Sequence, residues 1–242
     1  MNRATSATGW VRNPIVKAAG LNPLLASSYE LGYTWNPITG CHNHTPEGLC
    51  YGGLFPCYAF TLANGRLKER YLANHQWSPE VIEHNTPALL DPFYPRFWPE
   101  RLQAMNKMPL HKGIFVCDMS DLFGIGVPEE WTKKVLHECW FWKDSRFYLL
   151  TKQPQNLVKW SPFPDNCWVG VSATNAKMAE EAGFWLWEVK AKVKFISFEP
   201  LLEQIPVHFA DYISEEVEGI KWVIIGAQTS HTNRRSGNGF LK

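Results

Sequence analysis

Gly113-Ile114-Phe115-Val116-Cys117 runs straight into Asp118-Met119-Ser120-Asp121. Five apolar residues, rich in β-branched and aromatic types, are too few for a helix and suit a strand buried on both faces. The polar cluster follows with no spacer. The same pattern recurs downstream. Arg146–Leu150 is an apolar run that ends in Thr151-Lys152-Gln153, and Cys167–Val171 ends in Ser172-Ala173-Thr174-Asn175. Val193–Ser197 ends in Phe198-Glu199-Pro200, and Lys221–Ile225 ends in Gly226-Ala227-Gln228. Between these runs the spacing turns helical: Pro128–Lys143, which opens Pro-Glu-Glu, a short Gln153–Trp160, and Asn175–Val189. Unbroken apolar runs alternating with helices predict a parallel sheet covered by helices.

Working back toward the N-terminus, Tyr29–Trp35 reads as a further strand and Tyr58–Tyr71 as a helix, with Ala59, Leu62, Ala63, Leu67 and Tyr71 at helical spacing. A weak strand is predicted within Trp77–His84. Pro87–Pro99 carries four prolines, so a helix there begins late, at Pro99-Glu100-Arg101-Leu102. About seven strands over this length predict an α/β fold, a full or partial (β/α) barrel, rather than a doubly wound sheet. No Gly-x-Gly-x-x-Gly follows any strand, which weakens a dinucleotide fold. Residues 1–28 read as an arm and residues 29–242 as one domain.

The 242 residues are 45% hydrophobic and 19% charged, enough to bury a core without staples. A net charge of +1 gives no bulk attraction to nucleic acid or membrane. Met1–Pro23 has no long apolar stretch and nothing later reaches membrane-spanning length, so a cytoplasmic location is expected. In that compartment six cysteines are not expected to form a disulfide framework.

Three of those cysteines, Cys41, Cys50 and Cys57, fall in the loop between the first strand and the first helix, with eight and then six residues between them. That spacing is too loose for paired zinc knuckles. An iron–sulfur cluster, a zinc site completed by His42 or His44, and inert buried thiols all remain open readings. Cys117, Cys139 and Cys167 lie in strands or a helix and read as small buried hydrophobes. In a β/α barrel the active site lies at the C-terminal strand ends. On that register Asp118, Asp121, Lys152 and Glu199 are expected to face one cavity as catalytic or positioning groups. A salt-bridge network that only closes the barrel is the competing reading. Thr174 and Asn175 could instead cap the next helix.

The order of short motifs resembles the radical S-adenosylmethionine superfamily, and more closely an uncharacterised, phage-associated branch of it. The shared segments are Thr34-Trp35-Asn36-Pro37-Ile38-Thr39-Gly40-Cys41, Cys57-Tyr58-Ala59, Met119–Phe123, Leu150–Pro154, Gly170–Ser172 and Glu199–Leu202. The resemblance implies a [4Fe–4S] cluster held by Cys41, Cys50 and Cys57. It implies S-adenosylmethionine on its open iron, cleaved by one electron from a donor such as flavodoxin or ferredoxin to give a 5′-deoxyadenosyl radical. Ser172, Thr174, Asn175, Gln228 and Tyr58 are the expected cofactor contacts. A nucleic-acid or nucleotide substrate is an expectation by analogy. The superfamily's usual cysteine spacing is three residues and then two. Where the branch carries Gly-Gly-Glu-Ser, this chain has Gly226-Ala227-Gln228-Thr229. The branch also continues past the position of Lys242, so a barrel that is incomplete or closed differently is expected.

Overall fold

Strand β1 (Asn2–Arg3) pairs antiparallel with β2 (Gly32–Trp35), and β2 pairs in parallel with β7 (Gly113–Val116). The sheet continues in parallel through β8 (Arg146–Thr151), β9 (Cys167–Ser172), β10 (Val193–Leu201) and β11 (Trp222–Ala227). The fold is therefore a mixed α/β fold around a six-stranded parallel sheet, β2-β7-β8-β9-β10-β11. The computed structural model describes residues 2–3, 32–77, 87–107, 112–214 and 218–227. The strand expected within Trp77–His84 lies mostly outside the described residues. Because β2 pairs directly with β7, no strand stands between them.

Every residue of β7 and of β9 is buried, as unbroken apolar runs require when both faces are covered. One face carries Ile114, Val116, Leu149, Val169, Val171 and Ile196. Helix α5 (Glu129–Phe141) covers this face with Trp131 and Val135, and helix α6 (Ala176–Glu188) with Ala179, Ala182 and Leu186. The opposite face is aromatic: Phe115, Tyr148, Trp168 and Phe195 pack with Trp222. Gly170 makes room for this layer, since a Cβ there would lie 2.4 Å from the Phe195 ring. Lys194 is buried at the end of α6, where its Nζ donates to the carbonyls of Leu186 (2.8 Å) and Val189 (3.1 Å). A cation there adds a donor to carbonyls at the negative end of the helix.

Several local expectations shift. The helix expected over Tyr58–Tyr71 divides into α1 (Tyr58–Asn64) and α2 (Lys68–Leu72), broken at Gly65. Gln153–Trp160 forms two 3₁₀ turns, Pro154–Asn156 and Val158–Trp160. The cysteine loop is itself folded: β4 (Leu49–Cys50) and β5 (Phe55–Pro56) form a hairpin, and β3 (Ile38–Thr39) pairs with β6 (Arg96–Phe97). Two short helices, α3 (Pro87–Leu90) and α4 (Pro99–Leu102), fill the proline-rich stretch. No helix among the described residues is long and apolar enough to cross a membrane.

Candidate functional site

Strand β7 stops at Val116 because Cys117 takes a left-handed backbone, φ 59°. A non-glycine residue rarely adopts that conformation, and such strain gathers at functional turns. Here it swings Asp118–Asp121 across the end of β2. Asn36, the residue after β2, receives this turn: its Nδ2 donates to Asp118 Oδ1 and its Oδ1 accepts from Met119 N at 2.9 Å. Arg101 holds Asn36 in turn, donating from Nη1 to its carbonyl at 2.7 Å. Sequence reasoning gave Asn36 no role, although its place at a strand end before Pro37 was a usable signal.

The cysteine loop is anchored on both sides to these strand ends. Gly40 N donates to Met119 O (2.9 Å) and Ser120 Oγ to Gly40 O (2.6 Å). On the far side Thr174 Oγ1 donates to Gly52 O at 2.7 Å. Gly40 has φ 87°, and a Cβ there would lie 2.3 Å from the Tyr94 carbonyl, so no other residue fits beside Cys41 without moving backbone.

Cys41, Cys50 and Cys57 share this loop, and the charges of Cys50 and Cys57 both act to raise the pKa of Cys41. All three thiols are free. Burial, then the charge of Asp121, pushes the Cys41 thiol up to about 12. Burial also raises Cys57, opposed by the N–H groups of Phe60 and Ala59 at the start of α1 and by the Lys152 ammonium. His44 lies opposite Cys50 across a β-bridge and packs between Phe60 and Phe93. Its Nδ1 sits 2.7 Å from Thr45 O, and its Nε2 is buried without a hydrogen-bond partner among the described residues. Burial lowers the His42 pKa, and its ring packs on Tyr94.

The four groups expected to be catalytic separate into three settings. Asp121 is buried and committed: Oδ2 accepts from Thr151 Oγ1 (2.9 Å) and Lys152 N (3.0 Å), and Oδ1 from Phe123 N (3.1 Å). Burial raises its pKa despite these donors and the nearby Lys152 ammonium. Lys152 lays its side chain against Gly52, with Nζ 5.9 Å from the Phe55 ring, so its charge faces the thiol loop. Asp118 is raised by burial, and the Tyr58 hydroxyl donates to its backbone carbonyl. Burial of that hydroxyl, then the Asp118 charge, lifts the Tyr58 pKa well above the ordinary range. Glu199 stands apart beside β11, accepting from Ser197 Oγ at 2.9 Å and lying against Gly226.

Among the residues expected to contact a cofactor, Ser172 is buried at the end of β9, opposite Ser197 on β10. Thr174 ties down the loop as described. Asn175 is the N-cap of α6, its side chain accepting from Met178 N at 2.9 Å. Gln228 lies outside the described residues.

A family model described as "Protein of unknown function (DUF5131)" matches residues 30–240. No curated protein and no solved structure matches the chain. The expected place in the radical S-adenosylmethionine superfamily is overturned. The match is to this other family, and among the described residues no group of three or more His, Cys, Asp or Glu side chains could hold a metal ion. The motifs that carried the resemblance are short, and several have local structural work that explains them: Asn36 braces a turn, Cys57 precedes a helix, and Thr174 and Asn175 tie and cap.

Proposed function

Because the chain belongs to the DUF5131 family, whose chemistry is unassigned, its activity has to be read from its own residues, and we propose an iron–sulfur enzyme working at the C-terminal edge of the sheet. The observation that carries this is that Cys41, Cys50 and Cys57, all free, share one loop pinned to two strand ends. The donor chemistry fits a cluster: soft thiols, with Lys152 nearby to balance thiolate charge. Zinc would take the same thiols gathered within about 2.3 Å of one point, whereas a cluster keeps its cysteine sulfurs apart at the corners of a cube. When bound, it would supply one-electron chemistry.

The chain's own residues would do the remaining work. Tyr58, the residue after Cys57, and Asn36 both hold Asp118, so the turn after β7 would form one wall of the site. Asp121 fixes the backbone of Lys152 and so aims its ammonium at the loop. Glu199, held by Ser197, offers a carboxylate on the opposite side. We read the sheet as part of a (β/α) barrel. Its parallel strands neighbour one another in chain order, both long helices cover one face, and the other face is lined with aromatic rings. On that reading these groups stand at the barrel's active-site end.

Anaerobic reconstitution with iron and sulfide tests the proposal, with S-adenosylmethionine offered as co-substrate and reduced flavodoxin or ferredoxin as electron source. The expected result is a brown protein whose visible absorption bleaches on reduction and which consumes the co-substrate. Glu199→Gln should keep the colour and lose turnover. A colourless protein that takes up zinc instead would replace this reading with a zinc-bearing domain that binds a partner.

A further inference from the structure

Helix α6 returns the chain from the end of β9 to the start of β10, so its last turns lie toward the end of the sheet opposite the thiol loop. There a cavity of about 430 Å³ lies between α6 and the 3₁₀ turn Val207–Tyr212. Its aromatic walls are Phe184, Trp187 and Tyr212, with Glu188, His208 and Asp211 around them. Gly183 lets the Tyr212 ring come close to the helix, since a Cβ there would lie 2.5 Å from that ring. Phe209 packs against the same ring, with centroids 5.7 Å apart. Phe184 and Trp187 are left 55% and 43% exposed, and large rings exposed together mark a binding surface. The charge around them has one sign. Neither Lys nor Arg lines the cavity. His208 is engaged with Glu180, its Nε2 3.1 Å from Oε1, so its charge when protonated is already balanced. Neither Glu188 nor Asp211 makes an ion pair among the described residues.

We propose that this cavity binds a small alkylated ammonium ion, its methyl groups against the Phe184, Trp187 and Tyr212 rings and its charge balanced by Glu188 and Asp211. Aromatic rings attract a cation through their negative faces, and the attraction grows as water is excluded. Two unpaired carboxylates at the same cavity add to it and disfavour any anion. A primary ammonium is a strongly hydrated point charge and gives up more water on entering a ring-lined cavity. An alkylated ammonium has no N–H to satisfy and presents an apolar surface, which matches walls made of rings. The site is separate from the thiol loop and does not depend on a cluster.

Choline is the probe, titrated into the full chain while the indole N–H signal of Trp187 is followed by NMR and assigned by its loss in Trp187→Leu. Choline should move that signal saturably. It should bind at least about tenfold more tightly than its neutral isostere, in which a quaternary carbon replaces the nitrogen. Trp187→Leu, read by calorimetry, should weaken choline binding by about fivefold or more. Glu188→Gln combined with Asp211→Asn should do the same with an unchanged Tm, since both side chains are exposed and unpaired. The isostere or ethanolamine binding as tightly as choline, full affinity in either variant, or no saturable shift would each overturn the proposal. So would a Trp187 signal that moves with protein concentration, which would show a second copy of the chain covering this face.

Discussion

Asp121 shows how one side chain can carry a site without performing its chemistry. Its carboxylate accepts three hydrogen bonds while buried, so Asp121→Asn leaves at least one donor facing an amide N–H and should cost about 2 kcal/mol in urea unfolding. Burial raises its pKa, so protonation favours the folded state. That contribution is full below the unfolded value of about 3.9 and is lost as pH rises through the folded value. The stability advantage of the wild type over Asp121→Asn should therefore shrink as pH rises from about 4. An advantage that grew over that range would contradict the assignment. Cys41 gives a second check. With its pKa near 12, almost none of it is thiolate at neutral pH. In metal-free protein at about pH 8, iodoacetamide should label it roughly a thousandfold more slowly than free cysteine. Labelling at the free rate would show the thiol to be neither buried nor crowded by negative charge. The sequence made the identity of these residues legible but not their partners. Asp121 looked like Asp118, and only burial and three donors separate them.

At the scale of elements, the thiol loop owes its position to its anchors more than to its own hairpin. Thr174→Val removes the bond to Gly52 O and should raise hydrogen exchange across residues 48–57 while leaving β9 protected. Equal protection in both proteins would mean that the hairpin holds itself. Asn175→Ala should cost about 1 kcal/mol through the lost cap of α6, and Asn175→Ser should restore most of it. A stability loss that Ser does not restore would argue against capping as the main role. The downstream strands were readable because each was an unbroken apolar run between turn signals, and α5 and α6 because of their period. The cysteine loop was not. Its hairpin has two-residue strands, its bends rest on positive-φ glycines, and its anchors join residues 80 and 122 positions apart in the chain. The helix expected from Tyr58 to Tyr71 had the right spacing, but Gly65 broke it.

For the whole molecule, the sheet sorts its side chains into a helix-covered face and an aromatic face and gathers polar residues at one edge. The unbroken apolar runs of β7, β8 and β9 pointed to burial on both faces but not to which side chains would share a face. Which strands would be neighbours at the N-terminal side was less legible still, since nothing in the sequence says that β2 pairs directly with β7 across an interval of some eighty residues. The account's central claim is that the edge holds a cluster on three cysteines. The most direct measurement is iron and acid-labile sulfide per chain after anaerobic reconstitution, in wild type and in Cys41→Ala, Cys50→Ala, Cys57→Ala and Cys139→Ala. The account predicts matched iron and sulfide in the wild type, loss in each of the first three variants, and retention in Cys139→Ala, whose thiol is buried in the core away from the loop. Iron and sulfide that survive removal of any one of the three loop cysteines, or that never bind to the wild type, would contradict it.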